Sequence, residues 1–204
     1  MSLSVTQQES DMANVFLING HQPHPVSPGT LNATFVERAE AFFQRRGDDV
    51  RKTATADDYN IDAEIEKLKW ADVVLLQSPI NWMGVSWGMK KYIDDVWTAG
   101  MRGDLSDGDG RSSRNPKSNY GLGPKLSGKY MMSLTANAPR EAFSNPQETF
   151  FDGLSEDELM RPMHLNFKWI GLEPLPTYVI YDVLKNPDIE ADLERFERHL
   201  EKNF

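Results

Sequence analysis

The chain has 204 residues, enough for one domain with a sizeable core, and no cysteine, which excludes disulfides, thiolate metal sites and a cysteine nucleophile. Any redox chemistry must therefore be borrowed from a cofactor. Acidic residues outnumber basic ones by 31 to 22, a net charge of −9, which argues against a nucleic-acid partner because phosphate binding needs a basic footprint.

Residues 1–12 have no convincing period and read as a flexible tail ahead of a single domain over 13–204. They are polar rather than signal-like, and no apolar stretch approaches the ~18 residues of a membrane-spanning helix, so a cytoplasmic protein is expected. Five β-rich segments follow at Asn14–Asn19, Asp49–Thr53, Asp72–Gln77, Tyr130–Thr135 and Thr177–Tyr181, alternating with helical patterns. That alternation predicts βαβ units and a parallel sheet with helices on both faces. The commonest five-stranded solution is a three-layer α/β sandwich with the flavodoxin-like strand order 2-1-3-4-5, whose switch point lies between the first and third strands.

After the first strand comes a polar loop from Asn19 to Asn32, rich in proline and glycine, that feeds a helix beginning near Thr30. This helix presents Leu31, Phe35, Ala39 and Phe42 on one face and ends at Gly47, a C-terminal cap. Free amides at its start, with the hydroxyls of Ser27 and Thr30, suit a phosphate or pyrophosphate; the same two hydroxyls equally suit simple capping. His21 and His24 lack a third ligand and read as loop residues rather than a metal site.

The third strand empties into Pro79-Ile80-Asn81-Trp82-Met83-Gly84, an uncharged aromatic loop at the switch point. Trp82, Met83 and Trp87 offer flat apolar walls there, and Gly84 and Gly88 allow close backbone approach to a ring. The following helix pairs Lys90 with Asp94 and Lys91 with Asp95, which reads as solvated surface worth ~0.2–0.5 kcal/mol a pair. Between Ala99 and Lys129 lies a glycine-rich stretch, too long for an ordinary connection, that contains Tyr120. Its aspartates fail the calcium-loop pattern because Arg111 stands where a ligand is needed.

The fourth strand ends in the small polar cluster Thr135-Ala136-Asn137-Ala138, a third carboxyl end directed at the same crevice. A capping box at Ser155 opens a helix that Pro162 interrupts and Gly171 closes. The last helix is expected to open with Asn186 as cap and Pro187 first, and to bury Ile189, Leu193, Phe196 and Leu200. There is no Walker loop, no complete dinucleotide fingerprint and no Gly-x-Ser-x-Gly elbow, so neither a nicotinamide-type dinucleotide fold nor hydrolysis is supported.

Ile18-Asn19-Gly20, Trp70-Ala71-Asp72-Val73-Val74, Trp82-Met83-Gly84, the run Lys90 to Val96, Ser106-Asp107-Gly108, Asn137-Ala138-Pro139, Glu141-Ala142-Phe143 and Glu173 to Thr177 together identify a family. From about Asn14 to Phe204 the chain resembles the modulator of drug activity B proteins, flavin-dependent NAD(P)H:quinone reductases of flavodoxin-like fold. The resemblance implies bound FAD, NADPH favoured over NADH as co-substrate, a quinone acceptor and a homodimer whose interface helps build the sites. It implies a diphosphate and adenosine along Ser27, Pro28, Gly29, Thr30, Leu31, Asn32, Ala33 and Thr34. The isoalloxazine would be bordered by Ile80, Asn81, Trp82 and Met83, flanked by Pro79 and Gly84, with Tyr120, Thr135, Ala136, Asn137 and Ala138 completing the site. Tyr120 would polarise an oxygen of flavin or quinone. The chain departs from the family pattern at Asn81 and Ala136, each small where a tryptophan is usual, so a roomier pocket and a shifted acceptor preference are expected. An electron-carrier flavoprotein, a flavin-bound sensor and a nitro- or azo-type reductase are the alternatives.

Overall fold

The structure is a computed structural model that describes residues 12–204; the expected tail at 1–12 falls outside it except for exposed Met12. Strand β1 (Asn14–Asn19) leads through α1 (Thr30–Arg46) to β2 (Asp49–Ala54), then α2 (Ile61–Trp70) to β3 (Val73–Pro79) and α3 (Trp87–Gly100) to β4 (Lys129–Thr135). Helices α4 (Glu156–Leu159) and α5 (Arg161–Ile170) precede two short strands, β5 (Glu173–Pro174) and β6 (Tyr178–Ile180), and the terminal helix α6 (Ile189–Asn203). All pairings are parallel, in the order β2-β1-β3-β4-β5, with β6 also on β4. This is the expected flavodoxin-like sandwich.

The strands read as they do because of what covers them. β1 and β3 are nearly continuous apolar runs, and both are central strands buried on two faces. One face packs Phe16, Ile18, Val74, Leu76 and Met132 against α2, α3 and α5; the other packs Val15, Leu17, Leu75 and Met131 against α1 and α6. α1 meets α6 through Phe35, Tyr178 and Phe196, with the Phe35 and Phe196 rings edge to face at 5.1 Å.

Two expectations are corrected, and one open alternative is decided. The fifth strand is not one segment over Thr177–Tyr181: Leu175, Pro176 and Thr177 face only Met131 and Met132 of β4, so the edge is bulged and split into β5 and β6. Pro174 and Pro176 lack amide donors, which restricts such residues to sheet edges and bulges. The last helix starts at Ile189, not Pro187, because the Asp188 carboxylate accepts from the Ala191 amide at 3.3 Å, whereas Asn186 closes a separate turn onto Asp182. Neither Ser27 nor Thr30 caps α1, whose N-cap is Gly29 in a left-handed conformation with no side-chain hydrogen bond. The Ser155–Glu158 capping box, the break before Pro162 and the left-handed Gly47 and Gly171 caps stand as read.

Candidate functional site

The carboxyl ends of β1, β3 and β4 lie side by side, and the loops leaving them form one crevice. Their positions are fixed by a buried polar chain: Gln77 of β3 donates to Asn32 Oδ1 of α1 at 2.9 Å, and Asn32 donates to Thr135 Oγ1 of β4 at 3.4 Å. Gln77 Oε1 remains buried without a protein partner. A second stitch comes from Ser86, which donates to the Gly20 carbonyl at 2.6 Å and accepts from the Met89 amide as the cap of α3. These contacts tie the first and third loops together. Sequence reasoning missed Gln77 and Ser86; a glutamine ending an apolar strand and a serine three residues before Met89 were the available signals.

At the first loop, His21 is buried to 5% exposure with its ring directly under Gly29. A Cβ on Gly29 would lie 2.4 Å from His21 Nδ1, so only glycine lets the chain pass over the ring. Burial lowers the His21 pKa, which keeps the ring neutral, and His21 Nε2 lies 3.3 Å from Ser27 Oγ. Because Gly29 offers no side chain, the amides of the first turn of α1 carry no cap and point outward. Ser27, Pro28 and Thr30 are exposed and Leu31, Ala33 and Thr34 half-buried around this helix start. Thr34 turns its hydroxyl back to the Thr30 carbonyl at 3.0 Å.

At the third loop, Asn81 and Gly84 exchange two backbone hydrogen bonds, of 2.7 and 3.1 Å, across a tight turn. The central residues Trp82 and Met83 both have positive φ, 48° and 64°, the geometry of a type I′ turn usually reserved for Asn and Gly. Strain of ~1–3 kcal/mol per residue of this kind persists only where the surrounding structure holds the backbone in place, and it clusters at functional sites. The turn holds the Trp82 ring 95% exposed. A Cβ on Gly84 would meet nothing within 4 Å, so the backbone there is open to close approach. Pro79 is buried, and the Ile80 amide donates to the Thr135 carbonyl at 2.8 Å, joining this turn to the fourth strand.

Beyond β4, Asn137 is exposed and Ala138 half-buried at the rim, while Ala136 is buried in the core cluster with its amide bonded to the Ile180 carbonyl. The small residue at 136 is therefore packed into the core beside the crevice rather than exposed in its mouth. One sequence reading is corrected. Gly88 does not face a ring site: the Gln22 side chain fills its space, with Oε1 2.3 Å from where a Cβ would stand. Trp87, at the first position of α3, is mostly exposed, as Trp82 is.

The structure does not bring Tyr120 to the crevice of its own chain. Its ring, 70% exposed, packs edge-on against Trp169 at 5.3 Å, with the Arg111 guanidinium 5.5 Å from its centroid. Trp169 is near the end of α5, where Ile170 accepts from Leu126 just before β4 begins, so Tyr120 sits at the opposite end of the sheet from Thr135. Its loop is nevertheless pinned: Leu105 is fully buried against Gly100, and Lys125 donates to the Gly103 carbonyl at 2.7 Å. A 650 Å³ cavity at that same end is lined by Tyr130, His164 and Asp157, which satisfy one another. Tyr130 Oη meets His164 Nδ1 at 2.5 Å, and His164 Nε2 lies 3.2 Å from Asp157 Oδ1.

No cluster of three or more potential metal ligands occurs among the described residues, and no helix there is long and apolar enough to cross a membrane. The donor set of the crevice fits a flavin phosphate instead. Uncapped amides at the start of a 17-residue helix are an anion site, and the Asn81–Gly84 turn presents open backbone beside an exposed aromatic.

Comparison with known proteins agrees with this fold. A family model described as flavodoxin-like fold matches residues 13–204. The chain is 42% identical to the NADPH:quinone oxidoreductase MdaB of Haemophilus influenzae over 192 residues, covering 94% of this chain and 99% of that protein. Among solved structures, a proposed quinone reductase of Klebsiella pneumoniae superposes with a TM-score of 0.74 at 21% identity, covering 93% of this chain and 84% of the other. A general stress protein of Treponema denticola, solved with FMN, superposes with a TM-score of 0.60 at 17% identity, covering 93% and 95%.

Proposed function

Since the chain belongs to the flavodoxin-like fold family, and within it to the modulator of drug activity B group, we propose that it is an FAD-dependent, two-electron quinone reductase using NADPH in the cytoplasm. The observation that carries this reading is the convergence on one crevice of an uncapped helix start at Gly29 and a strained, open turn at Trp82–Met83. When bound, a flavin supplies a hydride acceptor and donor, so reduced nicotinamide and quinone use one place in turn.

The chain's own groups supply orientation and electrostatics. The α1 amides from Thr30 onward, with the exposed hydroxyls of Ser27 and Thr30, hold the phosphates along Ser27–Thr34. Asn32, Gln77 and Thr135 keep the three loops in register beneath the ring. The Trp82 and Met83 backbone, with Asn137 and Ala138 opposite, borders its edge, and turn amides are the candidates to polarise a developing oxyanion.

Tyr120 enters through a second copy. Its exposed ring lies at the far end of its own sheet, so a homodimer that sets this loop over the neighbouring crevice brings in the hydroxyl and excludes water.

The test is direct. The purified protein should release FAD rather than FMN on denaturation, its flavin absorbance should bleach faster with NADPH than with NADH, and quinone should restore the colour. A flavin that bleaches with neither nucleotide, or reduced protein that quinone fails to reoxidise, overturns the assignment. Sedimentation equilibrium at working concentration should give twice the chain mass, and loss of turnover on dilution to monomer tests the role given to Tyr120.

A further inference from the structure

A separate cavity of 210 Å³ opens behind the Trp82–Met83 turn. Met83 and Val85 line one side of it; Leu159, Met160, Pro162 and Met163, from the junction of α4 and α5, line the other. Three thioethers among six apolar side chains make a soft, adaptable lining, suited to a flexible chain rather than to one rigid shape. No aromatic side chain borders it, so nothing there stacks on a ring.

Its two polar side chains, Asn166 and Lys90, each have a partner. Asn166 donates its side-chain amide to the Pro162 carbonyl at 2.8 Å, and its own carbonyl accepts from Trp97 Nε1 at 3.0 Å. Lys90 is paired with Asp94. No buried side-chain polar atom without a partner is among the residues lining the cavity. The six apolar side chains offer a ligand no hydrogen bond, and Lys90 is exposed and paired with Asp94, so a hydrocarbon buries this lining without leaving a polar group unpaired.

The cavity and the crevice share a wall, since Met83 and Gly84 line the cavity and also belong to the turn that borders the proposed ring. We propose that it is a tail subsite, and that the preferred acceptor is a quinone carrying a short isoprenoid or alkyl chain. The head sits over the ring and the first units of the chain lie between Met83 and Met163. A cavity of roughly 150 Å³ already accommodates a benzene ring, so this one holds a five-carbon unit with room for the next to begin. This inference rests on the quinone-reductase reading and deepens it.

Two quinones with the same substituted ring, one bearing a single isoprene unit and one bearing hydrogen, provide the test. The prenylated compound should show a kcat/KM higher by roughly tenfold or more, since even one methylene in an apolar pocket discriminates that strongly. Met163→Gln, which makes the buried wall polar, and Leu159→Trp, which fills the cavity, should each abolish that advantage while leaving the tailless quinone unchanged. Equal kcat/KM for both quinones in the parent protein refutes the subsite. So does a preference that survives in either folded variant.

Calorimetric titration with a ten-carbon isoprenoid alcohol separates this failure from failure of the enzymatic reading. Heat of binding that disappears in Leu159→Trp upholds the subsite even if no quinone is turned over; no binding to the parent protein overturns it.

Discussion

Gly29→Ala probes the helix start that the proposed phosphate site depends on. Gly29 lies at φ 94°, ψ 3°, and an added Cβ would approach His21 Nδ1 to 2.4 Å and Cε1 to 2.6 Å. The left-handed backbone costs an alanine about 1–2 kcal/mol. The overlap adds ~1–3 kcal/mol, as for other overpacked sites, because the His21 ring is enclosed. The sum is about 2–5 kcal/mol, which for a domain of this size lowers the melting temperature by roughly 4–20 °C. A double-mutant cycle separates the two parts. With His21→Ala the ring is gone, so adding Gly29→Ala there should cost only the ~1–2 kcal/mol of backbone strain. Urea midpoints of the four flavin-free proteins give the coupling, and stripping the flavin removes the stabilisation that ligand binding adds. Additivity within about 0.5 kcal/mol would refute the packing of ring against glycine. Gly29→Ala should also weaken flavin affinity, read by fluorescence quenching on titration.

Trp82→Gly removes a side chain that is 95% exposed and relieves a left-handed residue, so the flavin-free protein should melt no lower than the parent; quinone turnover should nonetheless fall, and a variant with both properties unchanged would divorce the turn from the site. Leu105→Ala empties a fully buried position that pins the long loop to Gly100, and should cost ~2–5 kcal/mol by urea unfolding; a loss under about 0.5 kcal/mol would mean that the loop is not anchored there. Burial holds the His21 and His199 pKa values below 6.5, so below that pH the unfolded chain binds protons that the folded one refuses. Melting temperature should therefore decline as pH falls from 7 through 6.5 and flatten once the folded values are passed. The decline should shrink in the His21→Asn, His199→Gln double variant. A rise in melting temperature over that window would reverse the assigned direction.

The architecture was legible where local and global signals agreed. The apolar runs of β1 and β3, the Phe35–Ala39–Phe42 face and the glycine caps at 47 and 171 specify the same fold at every level. What escaped notice depends on distant partners. Gln22 filling the space at Gly88, the His21 ring beneath Gly29 and the chain from Gln77 to Thr135 arise when segments far apart in sequence meet. The split edge strand was missed because Thr177–Tyr181 has a strand composition while the register on β4 is set by prolines earlier in the chain. Tyr120 is the instructive case: the length and glycine content of its loop mark it as unusual, but which end of the sheet it returns to is decided by Leu105 and Leu126, which no local pattern reveals.

The interruption at Leu175–Pro176–Thr177 bears on how copies of this chain avoid one another. A parallel sheet has two open margins, each a template for uncontrolled edge-to-edge growth. One margin here is β2, which carries Asp49, Arg51 and Lys52; the other is divided into segments of two and three residues separated by a proline. Neither offers a long, flat, apolar row to a stray strand. Replacing Pro176 by valine would supply an amide and a β-branched side chain at the gap, and the foreseeable consequence is a stickier protein at high concentration, whatever happens to its crevice.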